Sequence, residues 1–287
     1  MLAAIGRILV TGLTLLVLIS SGRAAETLTP QQQQQAERFA ANNSLFVLYH
    51  EVAHLLVHQL GLPVLGKEED AADNMASYML LQKGTREAHQ ALADAAYGWL
   101  LSGLTYGANL DDSDYYGSHS LDKQRAFAIV CLMVGSNAEA FSPIADEYKM
   151  GKDRQESCYF DFELVKRSLE GVLGAYWQKN GPQTEVSVTY HAASGQLKPA
   201  ADAFKASGIF DQVAEELKTS FPIPKKVSFR AKRCGEANAF YDPSTVEVIF
   251  CYELMNDFMQ LISKDMPQEF VPQLPVGVGR AASSSTY

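Results

Sequence analysis

The chain has no Cys-x-x-Cys pair, no run of lysine and arginine, no apolar stretch of bilayer length and no internal repeat. Each absence excludes something. Without paired cysteines at ligand spacing there is no thiolate-held structural zinc. With 24 basic residues against 33 acidic ones and a net charge of -9, nucleic acid and anionic membrane surfaces are poor partners. The apolar run at residues 8–19 falls short of the roughly 20 residues that cross a bilayer. Cysteine itself is scarce: there are four, and none precedes Cys131, so no lipid-attachment cysteine stands near the N-terminus.

What is present at the N-terminus reads as an export signal. Arg7 supplies an early positive charge, the apolar run follows, and Ser20-Ser21-Gly22-Arg23-Ala24 offers small residues for cleavage after Gly22 or Ala24. Residues 1–24 are therefore expected to be removed. The mature protein would have no stable membrane anchor and would be secreted across the inner membrane, into the periplasm of a double-membrane bacterium. Four cysteines in an exported chain suggest two disulfides. Cys234 and Cys251 flank Asp242-Pro243 symmetrically, between the runs "KVSFRAK" and "VEVIF", so a hairpin turning there would pair them. That leaves Cys131 with Cys158.

The rest of the chain reads as helices followed by a few strands. Thr29-Pro30 starts a short helix, and Asn43-Ser44 caps a second over residues 45–60, stopped by Gly61 and Pro63. A third, over residues 67–82, carries Ala72, Met75, Ala76, Met79 and Leu80 at helical spacing. A fourth spans residues 85–103, and a polar, Tyr-rich loop over 105–118 leads to Ser120, which caps a fifth. A sixth covers 154–177, and another lies near 200–217. Strands are expected at 186–190, 227–232 and 246–250, then a helix over 253–264. The fold class is α+β, mainly α. A helical core over 29–180 would be covered by a strand and hairpin segment over 181–265, with a disordered Pro-, Gly- and Ser-rich tail over 266–287.

The chemistry is concentrated in "YHEVAHLLVHQLGLPVLGKEEDAAD", which ends at Asp73. His50 and His54 are one helical turn apart and project from the same face, so they can share one metal ion. Glu51 stands about 100° further round, where a carboxylate reaches a water at the metal rather than the metal. The connection over residues 61–66 can turn the chain back, bringing Glu69 level with the histidines as a third ligand. Asp73, four residues on, can accept a hydrogen bond from the far nitrogen of a ligating histidine. A bland alternative, acids at 68–70 complementing a helix N-terminus, leaves Asp73 and the facing histidines unexplained. His119, at the end of the Tyr-rich loop, could stabilise an oxyanion, as could Tyr115 or Tyr116; it could equally cap the next helix. Asp122 and Arg125 read as ion-pair anchors for that loop. His58 reads as a C-terminal helix residue off the ligand face, and Glu253 as a first-turn acid.

His-Glu-Val-Ala-His followed by Glu-Asp-Ala-Ala-Asp resembles the gluzincin arrangement. More narrowly, "HEVAHLLV", "LPVLGKEEDAAD", "SHSLDKQR", "CLMVGS" and "CGEANAFYDP…CYEL" are similar to an uncharacterised bacterial metallopeptidase family, over most of the mature chain. That resemblance implies a zincin-like fold, with His50, His54 and Glu69 as zinc ligands and Glu51 as general base. In the family the "CGEANAFYDP…CYEL" segment precedes the H-E-x-x-H helix, whereas here it follows, so the order is permuted. The expected activity is zinc-dependent hydrolysis of a peptide or protein substrate. The alternative is a zinc-stabilised envelope protein that binds a peptide or partner without cleaving it. In either case a small antiparallel sheet from the C-terminal segment is expected to pack on the 45–60 helix.

Overall fold

The computed structural model describes residues 28–107, 110–177 and 183–265. The expected export signal, the Asn180-Gly181-Pro182 break and the expected disordered tail lie outside the described residues.

The first helix, α1 (Pro30–Leu60), is the axis of the molecule. Thr29 opens it with a capping box: its hydroxyl accepts from the Gln32 amide, and the Gln32 side chain accepts from the Thr29 amide. One helix of 31 residues stands where the sequence suggested two. Asn43 and Ser44 do not cap a second helix; both are buried within α1. The Asn43 amide donates to the Phe39 carbonyl one turn back, at 2.9 Å, and to the Asp94 carbonyl at 3.1 Å. With these partners the polar side chain is satisfied mid-helix, and the helix continues. From Phe46 to Leu56 almost every side chain is buried, whichever way it points, because α1 is surrounded.

Gly61, in the left-handed region at φ 62°, ends α1, and α2 (Glu68–Lys83) returns antiparallel to it. Next come α3 (Arg86–Thr105), a single turn α4 (Asp112–Tyr116), α5 (Asp122–Ser136), α6 (Ala138–Glu147) and α7 (Lys152–Leu173). The α6 segment had no clear sequence signal. A disulfide joins Cys131 on α5 to Cys158 on α7, with Cα atoms 5.1 Å apart.

The C-terminal segment contributes β1 (Val186–Tyr190), α8 (Lys198–Ser207), α9 (Ile209–Ser220), β2 (Val227–Lys232), β3 (Ala239–Asp242), β4 (Glu247–Cys251) and α10 (Tyr252–Asp265). Where one helix was expected near 200–217 there are two, because Gly208 takes a left-handed conformation between them. The fold is α+β and mainly α, but the sheet is mixed rather than antiparallel. Its order is β1-β2-β4-β3, with β1, β2 and β4 parallel and only β3 antiparallel. The expected hairpin between 227–232 and 246–250 is therefore not the one formed. The true hairpin is β3–β4, and β4 inserts between β3 and β2. Lys232 pairs in register with Cys251, so Cys234, just past β2, meets Cys251 at the same end of two parallel strands. Each disulfide closes a short loop and contributes on the order of 3 kcal/mol in the chain-entropy model.

Strand β4 is buried from Val248 to Cys251, as a central strand should be. Phe204 of α8 stacks on Phe250 at 4.0 Å, and Phe210 of α9 meets Phe229 edge-on. At the sheet's other end, β3 lies along α1.

Candidate active site

His50 and Glu51 are buried polar residues on the central helix, 4% and 6% exposed. Charge at such depth is tolerated only when paired. For His50 the partners come from α2: Nδ1 lies 2.8 Å from Asp73 Oδ1, and Nε2 lies 3.1 Å from Glu69 Oε2. His54 repeats the pattern one turn on, with Nδ1 2.7 Å from Glu68 Oε1 and Nε2 3.2 Å from Glu69 Oε2. The two Nε2 atoms are 3.1 Å apart. Among the described residues, His50, His54 and Glu69 form a group whose ligand atoms all lie within 4.8 Å of one another.

This donor set fits a metal ion. Each imidazole commits Nδ1 to a carboxylate, which fixes the tautomer and turns Nε2 inward. Two imidazole nitrogens and a carboxylate oxygen then aim lone pairs at one point, an arrangement that needs a proton or a cation between them. The titration of the groups says the same. Burial lowers the His50 pKa, but the hydrogen bonds to Asp73 and Glu69 outweigh it and raise the value to about 9. His54 is raised as well: burial opposes this, and hydrogen bonds to Glu69 and Glu68 prevail. Hydrogen bonds from His119, His50 and His54 hold the Glu69 carboxyl far below the usual carboxylate range.

Behind the histidines, Asp73 is itself held. Arg125 of α5 grips it with Nε at 2.7 Å from Oδ2 and a second nitrogen at 2.8 Å from Oδ1. The guanidinium carbon lies over Trp99, 3.6 Å from the ring centroid. Burial opposes ionisation of Asp73, yet Arg125 and His50 bring its pKa down to about 2. Arg125 was expected to anchor the Tyr-rich loop; instead it anchors Asp73, while Asp122 accepts from the Ser102 hydroxyl at 2.6 Å. Sequence distance hid this pairing, 52 residues apart. Arg125→Ala is expected to strip the buried Asp73 carboxylate of its guanidinium, leaving His50 on Oδ1 and nothing among the described residues on Oδ2, at a cost of roughly 3–5 kcal/mol of stability. Loosening the histidine support should also weaken metal affinity about 10–100-fold. Denaturant melts and competitive metal titration measure the two effects; unchanged affinity would mean that Asp73 orients His50 unaided.

Glu51 points the other way, towards β3. Its Oε2 accepts from the Tyr241 amide at 2.9 Å. Burial raises the Glu51 pKa, opposed by His50, His54 and this backbone N–H. The strand that makes the contact was missed in the sequence, where "AFYD" is too short to show a period. The Tyr241 hydroxyl sits 2.9 Å from His58 Nδ1 and accepts from Gln59, so His58 braces β3 against the end of α1. Glu253 accepts from the Cys234 and Gly235 amides, fastening the loop after β2.

His119 reaches the site from the loop before α5. Its Nε2 lies 2.9 Å from Glu69 Oε2, and its ring stacks over His50 at 6.2 Å. It is about half exposed and falls outside the three-ligand group. Lys67 fixes its backbone, donating to the carbonyls of Gly117 and His119. Tyr115 and Tyr116 are exposed, 65% and 79%. A cleft thus runs between α1, α2 and β3, lined by His50, Glu51, His54, Glu69, His119 and Tyr241.

A family model described as "Putative metallopeptidase" matches residues 17–173 and 190–275. No match was found among curated proteins, and none among solved structures. The first matched segment carries His50, Glu51, His54, Glu69 and Asp73, and the second carries the β3 wall of the same cleft. With well over half of its length matched, including both sides of the site, the chain belongs to this metallopeptidase family.

Proposed function

We propose that the protein is an exported zinc peptidase in which His50, His54 and Glu69 hold the metal and Glu51 is the general base. The observation that carries this is the convergence of both Nε2 atoms on Glu69 Oε2, with a buried carboxylate beside them that no ligand role uses. Two nitrogens and one oxygen suit zinc better than magnesium or calcium, which prefer oxygen-only shells. When bound, zinc polarises a carbonyl oxygen and makes a water acidic near neutral pH.

The chain's own residues do the rest. The Tyr241 amide holds Glu51 by Oε2, which leaves Oε1 to take a proton from water as it attacks the peptide carbonyl. Burial makes Glu51 a better base than an exposed glutamate. As the leaving nitrogen departs, Glu51 returns the proton to it. His119, on the open side of the site, donates towards the oxygen on which negative charge develops. Asp73, fixed by Arg125, keeps His50 in the tautomer a ligand needs. A non-catalytic binding role would not require a buried carboxylate poised beside a three-ligand site.

Export is supported by the N-terminal signal pattern and by two disulfides. No helix among the described residues is long and apolar enough to cross a membrane. The test of function is hydrolysis of denatured protein substrates, abolished by a chelator and restored by zinc. We also infer one domain, the C-terminal segment completing the cleft. A fragment of residues 26–180 should lack peptidase activity and regain it when the C-terminal piece is added; an active, stable, zinc-loaded fragment would contradict this.

A further inference from the structure

The cleft does not stop at the metal ligands. On the side of α3 and α10 it deepens into a recess that shares His50, Glu51 and His119 with the site. Val47, Trp99, Leu254, Phe258 and Leu261 give it apolar walls. The α10 residues Leu254, Asp257, Phe258 and Leu261 fall at i, i+3, i+4 and i+7, so one face of that helix is turned to the recess. Asp257 is the exception on this face, a half-buried carboxylate in an apolar stripe. An apolar residue would complete the stripe at lower desolvation cost.

The charges around the recess are unevenly committed. Arg125 also lines it, but its guanidinium is engaged by Asp73 and lies over Trp99. Asp257 accepts from the hydroxyl of Tyr106, a neutral partner. Lys264 acts on it as well, but from an exposed position further along α10. Glu51 adds a second carboxylate at the inner end. A side chain entering from the site meets apolar walls and a carboxylate held by a neutral hydroxyl, with Lys264 acting on it from an exposed position.

We propose that this recess receives the substrate side chain beside the scissile bond and selects lysine or arginine, with Asp257 as the specificity-determining residue. The proposal rests on the peptidase reading. An aliphatic stem lies along Val47, Trp99 and Phe258, and the cationic end forms a charge-assisted hydrogen bond with Asp257. A leucine side chain would fill the walls and add no partner to the carboxylate beyond Tyr106 and Lys264. A glutamate side chain would face both Asp257 and Glu51.

The test separates binding from turnover. Capped alanine–glycine hexapeptides carrying one lysine, one leucine or one glutamate are titrated by fluorescence anisotropy against zinc-loaded Glu51→Gln protein. The lysine peptide should bind roughly tenfold more tightly than the leucine peptide, and the glutamate peptide most weakly, as expected for one partly buried charge pair. Asp257→Asn in the same background should bring the lysine-to-leucine ratio close to one, with zinc stoichiometry as the check on folding. Leucine binding as well as lysine, Asp257→Asn weakening all three alike, or no detectable binding overturns the proposal. Cleavage is read separately, with wild-type protein on the same peptides. Failure to cleave any of them counts against the peptidase reading, while the binding order still decides the recess.

Discussion

Glu51→Gln is expected to lower kcat for peptide hydrolysis by about 10²–10⁴-fold, the usual cost of losing a general base. The substitution isolates chemistry from structure. A glutamine oxygen can still accept from the Tyr241 amide, which now meets Glu51 Oε2 at 2.9 Å. Packing between α1 and β3 is thereby preserved, and none of the three proposed ligand atoms is touched. Zinc content and Tm should stay close to wild type. Burying an amide in place of a carboxylate is, if anything, easier, since burial already opposes ionisation of Glu51. Active-site titration, metal analysis and a thermal melt on one preparation decide the matter. Equal activity of the two proteins on every substrate would favour the binding role over the enzyme.

Glu69→Ala should abolish stoichiometric metal binding, an effect beyond the 10–100-fold expected for an outer residue such as Arg125. Three histidines, His50, His54 and His119, converge on this one carboxylate oxygen at 3.1, 3.2 and 2.9 Å. Without it, a two-histidine site remains, flanked by imidazoles that repel one another when protonated. The same geometry sets the pH dependence. Metal-free His50 carries a proton up to about pH 9, and His54 is also raised, so binding at neutral pH must displace protons. Apparent affinity in the wild type should therefore rise with pH, by roughly tenfold per unit for each proton displaced, and level off above the His50 pKa. The sign for stability is opposite. A raised histidine pKa stabilises the metal-free fold fully below the unfolded value near 6.5, and that contribution fades as pH climbs through about 9. Zinc titrations at pH 6, 7 and 8 with a competing chelator measure the slope. If Glu69→Ala keeps its metal and Asp70→Ala loses it, the ligand assignment moves by one residue.

The sequence was most informative where chemistry depends on local periodicity. His50, Glu51 and His54 sit within one and a half turns of helix, and the short return to α2 brings Glu69 and Asp73 opposite them, as the spacing implied. It was least informative where a partner is distant. Nothing near Arg125 marks Asp73 as its counterpart, and the cleft wall β3 is only four residues long. Asn43 misled because the residue type that favours a helix start can also be satisfied inside a helix, and the Phe39 and Asp94 carbonyls that satisfy it are supplied by tertiary packing. The sheet was read as antiparallel because consecutive strands usually pair. Here β4 inserts between β2 and β3, an arrangement visible only from the register.

The unbroken α1 has a consequence for biogenesis. Helix α1 as a whole packs against α2, α3, α9, α10 and β3, so the stretch that bears His50 and His54 cannot unwind without loosening most of the protein. Its amide protons should therefore exchange with deuterium only through global opening, with or without zinc. In small zinc fingers the ion drives folding; here the packing around α1 would itself hold the proposed ligand residues in place. A metal would then be taken up by a site that the packing of the folded chain already holds, rather than by a chain still folding.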